Sequence, residues 1–418
     1  MKKKFFCSCM LFLFISALTV RGQMRVHLID VGQGCATLVE FPCGAILIDV
    51  GGESDPLFHS LDSLKAFLND FFDRRNDLHN TFQCVYLTHP HIDHTRGVSV
   101  ILDSPYIIKN AVTDGLEHGS GKFGQIKLHR AAQNSEADAD STNDIGLEAI
   151  TTKEIGSAGL TDRIIDPVNC SGTDPVIRIL WGTSTINPGW ADSDFNDENN
   201  HSVVIRIDYG TSSLLITGDL ETAAIHDLVT KYHGTSLLDA DVYVVGHHGS
   251  KNGATQELLD QVTPEIALIG SGDTTRKLAF TAWDYGHPNK GILDMLQQSV
   301  SETRPTIKVK AGLGKKRFVN YTITKAIYAT GWDGTVDLEA DNLGHWHKLD
   351  NPTVPALINI NIATVDELET LPGIGATKAQ AIIDFRSTNG NFSSPNDLDN
   401  VPGIGPATIN LIKPYITF

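Results

Sequence analysis

One short stretch constrains this chain more than any other. His89-Pro90-His91-Ile92-Asp93-His94 sets three imidazoles and a carboxylate directly behind the apolar run Cys84-Val85-Tyr86-Leu87. Such a run reads as a buried strand. Where a strand gives way to a loop, alternate side chains can converge on one point. His89 and His91, two apart, share one side of an extended segment. Asp93 and His94, round the bend, face a neighbouring position. Imidazole nitrogens and carboxylate oxygens are the donors a zinc-like cation prefers, so this order predicts two metal ions in one pocket. The alternative is a group of histidines gathered by chance in a turn.

Later strand ends offer further donors. Leu215-Ile216-Thr217-Gly218-Asp219 closes an apolar run with a carboxylate, which can bridge two cations about 3.5–4 Å apart for hydrolysis of a phosphate ester or related bond. Gly-Asp alone is a common turn; beside the first motif, Asp219 becomes a candidate ligand. Val244-Val245-Gly246-His247-His248-Gly249-Ser250 is another strand that ends in histidines. One of the pair is expected to bind metal, and His248 is entered in the ligand set. The other would face substrate as proton donor or phosphate contact, and spacing does not choose between them. His287, in Tyr285-Gly286-His287-Pro288, is a catalytic candidate, or else a surface-loop histidine. His201, just before a strand, could complete the first metal's shell or serve the fold alone. The expected metal set is thus His89, His91, Asp93, His94, His201, Asp219 and His248; the expected catalytic set is Asp93, His247, His248 and His287.

The 418 residues suffice for more than one domain. A formal charge of -17 argues against broad electrostatic capture of nucleic acid, so an anionic substrate needs local cations or metals. Residues 1–22 read as a signal peptide: Lys2-Lys3-Lys4, an apolar core from Phe5 to Leu18, and a cleavage site at Val20-Arg21-Gly22. An uncleaved anchor is the rival reading. No other stretch is a candidate span, so the mature chain is expected outside the cytoplasm, periplasmic or extracellular. Past residue 22, Cys35, Cys43, Cys84 and Cys170 lack the paired spacing of a zinc-thiolate site. In an oxidising compartment Cys35 and Cys43 could cross-link neighbouring strands, though buried free thiols are the commoner outcome.

Along the chain, strands are expected at Arg25–Asp30, Cys35–Phe41 and Ala45–Val50, then a helix from Leu57 to Phe72 with apolar residues at helical spacing. From Gly115 to Thr173 the text turns polar and reads as a surface insertion, partly mobile. Strands resume at Val176–Trp181, Val203–Tyr209, Leu214–Thr217 and Val242–Val245. Two groups of strands with helices between them predict two sheets sandwiched by helices. Residues 23–345 would form this domain and 346–355 a linker.

The segment 356–418 contains a repeat. Leu371-Pro-Gly-Ile-Gly375 recurs thirty residues later as Val401-Pro-Gly-Ile-Gly405, and Glu367-Leu368 recurs as Asp397-Leu398. Two copies of one supersecondary unit are expected to pack on each other. A glycine hairpin before a helix leaves backbone amides free to meet a phosphate. Gly373, Ile374, Gly375 and Lys378 in the first copy, and Gly403, Ile404 and Gly405 in the second, are the candidate DNA contacts. The charge count resists this: three cations (Lys378, Arg386, Lys413) stand against six acids, so the module could instead be a protein-docking or spacer element.

Together, His-x-His-x-Asp-His, Thr-Gly-Asp219 and His-His-Gly-Ser250 resemble the metallo-β-lactamase superfamily. More narrowly, Asp30-Val-Gly-Gln-Gly34, Asp49-x-Gly-Gly52, Asn199-Asn200-x-Ser202 and Tyr285-Gly-His-Pro288 resemble the hydrolase domain of the ComEC family of DNA-uptake channel proteins. Residues 356–418, through Ile358-Asn359-Ile360-Asn361, both hairpins and Ile412-Lys413-Pro414-Tyr415, resemble the helix-hairpin-helix domain of the ComEA family. The first resemblance implies an α/β fold, an αββα sandwich with a binuclear centre at one edge, and hydrolysis of a phosphodiester in DNA. It places His89 and His91 on one metal and Asp93 and His94 on the other, with Asp219 bridging. Asp93 would also orient the attacking water. Zinc suits these donors best, with manganese as the alternative. The second resemblance implies a small all-α module and non-specific double-stranded DNA binding. Two departures stand out: Cys35 replaces the family's usual Asp, which removes a supporting polar contact, and His201 stands where the family often has another polar residue. The family's membrane channel has no counterpart here, so the expectation is a freestanding exported metallohydrolase and nuclease. Rival readings are a metallo-phosphodiesterase for a small or cell-envelope substrate, and a DNA-binding protein whose metal site is idle.

Overall fold

The computed structural model describes residues 24–418, apart from 57, 104, 138–143, 342, 350–357, 370, 372, 414 and 415. The candidate leader and the end of the expected linker lie outside the described residues.

Six strands open the fold: β1 (Arg25–Leu28), β2 (Thr37–Phe41), β3 (Gly44–Ile48), β4 (Cys84–Leu87), β5 (Asn110–Thr113) and β6 (Gly146–Ala149). A second group follows as β7 (Pro175–Trp181), β8 (Val204–Tyr209), β9 (Ser212–Ile216), β10 (Val242–Val244) and β11 (Ile266–Ile269). A long ribbon, β12 (Thr303–Gly314) and β13 (Arg317–Lys325), leads into β14 (Ile327–Ala329). Then β15 (Val336–Ala340) and β16 (Trp346–Lys348) return to the first sheet. The first sheet runs β16-β15-β1-β2-β3-β4-β5-β6 and the second β14-β11-β10-β9-β8-β7. Because β16 pairs with β15 from Leu338↔Lys348 to Ala340↔Trp346, the first unit runs at least to Lys348, into the stretch expected as linker.

Strand alternation divides the core into layers. In β3, Ile46 and Ile48 face the inter-sheet core while Ala45 and Leu47 face outward. In β4 the inward pair is Cys84 and Tyr86, and the outward pair Val85 and Leu87. The outward side is covered by the helix Ser60–Arg74 through Leu64, Leu68, Phe71 and Phe72. Ala224, Ile225, Leu228 and Val229 of the helix Thr222–Tyr232 pack on the second sheet. The result is the αββα order. Each fully buried Leu, Ile, Val or Phe among these contributes roughly 1.5–3 kcal/mol of transfer free energy.

The structure corrects two expectations. Within 115–173, Lys122–Ala137 is a helix that inserts Leu128 and Ala132 into the outer core, β6 extends the first sheet, and Ile150, Ile155, Ile165 and Val168 are buried in the cluster built around the second sheet. The segment is built into the domain, not a surface excursion. Cys43 pairs with Cys170, 127 residues away, with Cα atoms 5.4 Å apart, while Cys35 and Cys84 are free and buried. Cys43 lies in the β2–β3 turn and Cys35 precedes the opposite end of β2, so strand rise separates them.

The C-terminal unit has its own core. Residues thirty apart occupy equivalent buried positions: Leu368 and Leu398, Leu371 and Val401, Ile374 and Ile404, Ile382 and Ile412. The two copies therefore close on each other as the repeat predicted. A short parallel pairing, Ile358–Asn359 with Ile416–Thr417, ties the ends of this otherwise helical module. Among the described residues no helix is long and apolar enough to cross a membrane.

Candidate metal centre

Three strand ends bring the donors together. Parallel pairing of β3 with β4 and of β9 with β10 fixes the residues that follow them at one edge of the sandwich. Val203 N donates to Thr88 O at 2.8 Å, and Asp219 N to Ser202 Oγ at 3.1 Å, which clips the two edges together.

Asp219 sits at the middle and is 2% exposed. Its Oδ1 lies 3.2 Å from His94 Nε2, and its Oδ2 lies 3.4 Å from His248 Nε2 and 3.9 Å from both His89 Nε2 and His247 Nε2. Asp93 Oδ2 is 3.3 Å from His248 Nε2, and the His94 and His248 Nε2 atoms are themselves 3.3 Å apart. The His91 ring stands 4.7 Å from that of His89, and its Nε2 lies 3.4 Å from Glu198 Oε2. So His89, His91, Asp93, His94, Asp219 and His248 are brought together, with His247 at the rim.

A cation fits this arrangement. His89 Nε2 is buried with no hydrogen-bond partner, and such an orphaned polar atom is costly unless something binds it. Burial and the neighbouring imidazoles hold the His89 pKa well below its ordinary value, leaving a neutral donor. Burial opposes charge on His94 and His248, but the carboxylates beside them, Asp219 foremost, raise both well above the ordinary range. Asp219 is lowered by the same imidazoles against its own burial. Protons thus occupy places that a cation would take, and metal uptake releases them.

Two of the remaining ring nitrogens are held, one by a further carboxylate and one by a backbone carbonyl, the kind of contact that orients a ligating histidine. His94 Nδ1 meets Asp49 Oδ2 at 2.7 Å, and His248 Nδ1 donates to Gly270 O at 2.7 Å. Asp49, held at φ 57°, also accepts from Thr88 N and Thr88 Oγ, both at 2.8 Å. Cys35 Sγ lies 3.6 Å from His248 Nδ1. The support that a carboxylate would give there comes from the Gly270 carbonyl. A cavity of about 570 Å³ opens over the donors, with Phe280, Tyr285 and His287 on its wall.

His201 is not part of the centre. Its Nδ1 accepts from Ser184 N at 3.1 Å and its Nε2 donates to Phe195 O at 2.8 Å, so both ring nitrogens are spent on backbone. The ring packs against Phe195 and Trp190. It serves the fold. His287 is buried, not a surface histidine: Gln33 Nε2 donates to its Nδ1 at 3.2 Å, and burial with the nearby His248 and His247 pushes its pKa down to about 3. His247, one-fifth exposed at the cavity, places Nδ1 3.2 Å from Glu221 Oε1. Asp49, Glu198 and Glu221 were missed by the sequence reading. The only signal for Asp49 was its place in Asp49-x-Gly-Gly52.

In the C-terminal unit, Gly373 and Gly403 adopt φ of +77° and +86°, the left-handed turns the hairpins need. Gly375 and Gly405 cap the helices Ala376–Asn389 and Pro406–Ile412. Ile374 and Ile404 are core residues, so only their backbone is available to a ligand. Lys378 Nζ donates to Gly373 O at 2.9 Å and reaches Thr408 Oγ at 3.3 Å, tying the first hairpin to the second copy.

Fold and centre define a protein of the αββα class with a cluster of metal-donor residues at one edge of its sheets. Residues 29–272, more than half of the chain, match the family model described as metallo-beta-lactamase superfamily, and the chain belongs to that superfamily. Residues 356–417 match a helix-hairpin-helix motif model. Among curated relatives, ComE operon protein 3 of Bacillus subtilis is 24% identical over 303 residues, 70% of this chain and 33% of that protein. Competence protein ComA of Neisseria gonorrhoeae is 38% identical over 96 residues, 23% of this chain and 12% of that one. ComE operon protein 1 of Bacillus subtilis is 47% identical over 62 residues, 15% of this chain and 30% of its own. The chain therefore spans a third or less of the length of these relatives.

Proposed function

We propose that this is an exported, metal-dependent phosphodiesterase that cleaves DNA presented by the C-terminal module. The observation that carries the reading is the convergence on buried Asp219 of His94 at one carboxylate oxygen and of His89, His247 and His248 at the other. His89 and His91 with Asp219 would hold one divalent cation, and Asp93, His94 and His248 with Asp219 the other, zinc by donor type and manganese as the alternative. When bound, the pair supplies Lewis-acid polarisation and a nucleophile at neutral pH.

The chain's own residues do the rest. Asp93, at the cavity, orients the attacking water. His247, raised in pKa by Asp219 and Glu221 against its burial, delivers a proton to the leaving alkoxide. His287 stays neutral and donates one hydrogen bond from Nε2 to a phosphoryl oxygen. The glycine hairpins grip the DNA backbone through amides, positioning it without reading sequence. The names of the relatives, competence proteins, support DNA as the substrate, and the leader-like residues 1–22 support export.

Purified chain loaded with Zn²⁺ or Mn²⁺ is expected to degrade DNA, and the double variant Asp93→Ala/Asp219→Ala to lose that activity. Equal degradation by both proteins would end the proposal. The acidic balance of the C-terminal unit favours the rival, a small phosphodiester; hydrolysis of a chromogenic phosphodiester with none of DNA would establish that one.

A further inference from the structure

The ribbon β12–β13 inverts the charge of the molecule. Residues 303–325 hold seven of the chain's 33 Lys and Arg and none of its 50 Asp and Glu. One side of the ribbon is committed to the core: Val309, Ala311 and Ile323 are buried, with Ile307, Val319 and Tyr321 packed against the same cluster. The pleat then sends Lys308 and Lys310 to the opposite face, where the cross-strand partners are Thr322 and Asn320. Lys315, Lys316 and Arg317 form the exposed turn. Two of the seven cations are spent elsewhere, Arg304 on Asp333 at 2.6 Å and Lys325 on Ser301 O at 3.0 Å. The acids bordering the surface are Asp284, 3.2 Å from Lys316, and Asp273, in the cleft beside Lys308 and Lys310. Among the described residues, Lys308, Lys310, Lys315 and Arg317 make no ion pair within 4 Å.

The tip of this ribbon is fixed to the wall of the metal cavity. Gly312 N donates to Pro288 O at 2.8 Å, and Lys316 N to Trp283 O at 3.0 Å. The segment so held carries Tyr285 and His287, which line the cavity. Five exposed cations therefore sit on a ribbon whose tip is bonded to the segment that lines the cavity. In a chain of net charge -17, a face of this kind meets a polyanion whose charges repeat along its length. We infer that the ribbon is a binding track for the phosphodiester backbone of nucleic acid, and that it delivers the strand to the metal cavity. Counterion release supplies its affinity, which the acidic hairpin module cannot. The inference rests on the nucleic-acid reading of the substrate.

The test uses the full chain stripped of metal, so that binding is read without cleavage. Fluorescence anisotropy with a labelled oligonucleotide, single- and double-stranded, is followed against salt. Lys308→Gln/Lys310→Gln/Lys315→Gln/Arg317→Gln, all at exposed positions, is expected to lower the slope of log K on log salt by about 3 and to weaken binding at least about tenfold near 0.1 M salt. The comparison is Gly375→Val/Gly405→Val, two sites with ordinary φ and open space around a Cβ. An unchanged slope in the ribbon variant, with binding lost in the hairpin variant, overturns the inference. So does the absence of DNA binding by the wild type, or tighter binding to anionic lipid vesicles than to DNA. Metal-loaded ribbon variant and wild type should hydrolyse a chromogenic phosphodiester equally, which checks that the cavity is intact. If neither protein cleaves anything while the ribbon variant loses binding, the nuclease reading fails and the track stands.

Discussion

Asp49→Asn isolates how one metal position is held. The carboxylate takes Thr88 N on Oδ1, and both Thr88 Oγ and His94 Nδ1 on Oδ2. An amide of the same size offers one acceptor and one donor. The fixed Thr88 N–H claims the carbonyl, so the NH₂ faces the hydroxyl and His94. The hydroxyl can rotate to accept. The imidazole must change tautomer, leaving Nδ1 bare and moving its proton to Nε2, the atom 3.2 Å from Asp219 and 3.3 Å from His248. A protonated Nε2 cannot ligate. Loss of such an orienting partner typically costs 10–100-fold in metal affinity, which is about 1.4–2.7 kcal/mol. Competition against a chromophoric chelator should therefore show wild type with two tight sites, and the variant with one of them weakened by that factor. The other site, through His89 and His91, should change little. Two sites of unchanged affinity in Asp49→Asn would refute the tautomer argument.

Two further outcomes follow from features away from the donors. Opening Cys43–Cys170, by Cys43→Ser/Cys170→Ser, frees a 127-residue loop for which chain entropy allows up to about 5 kcal/mol; a denaturant midpoint unmoved by the double variant or by reductant would contradict that bond's role. Burial pushes Asp114 up to about 8, against roughly 3.9 unfolded. The folded chain then holds a proton that the unfolded one has released, so stability falls as pH rises from about 4 to 8. Asp114→Asn should flatten that decline in thermal melts, and a profile identical to wild type would show the carboxyl to be ionised throughout.

Much of the centre could be read before folding because each donor closes an apolar run. His89, Asp219 and His248 all announce themselves at strand ends, and the thirty-residue repeat fixed the equivalence of Leu368 with Leu398. What stayed hidden depends on contacts distant in sequence. Asp49 acquires its role only when Ile48 pairs with Tyr86. His201 has the look of a ligand, yet its two nitrogens meet Ser184 N and Phe195 O, neither of which the motif indicates. The helix Lys122–Ala137 lies in text that read as polar because only a narrow stripe, Leu128 and Ala132 among it, reaches the core. The partner of Cys43 lay beyond any local spacing rule.

The donors are split between the two sheets: His89 to His94 follow β4 of the first, while Asp219 and His248 follow β9 and β10 of the second. During synthesis the early half emerges with four donors and no shared carboxylate. In the proposed binuclear centre, a cation would therefore find its full set of donors only as the second sheet packs, late in folding.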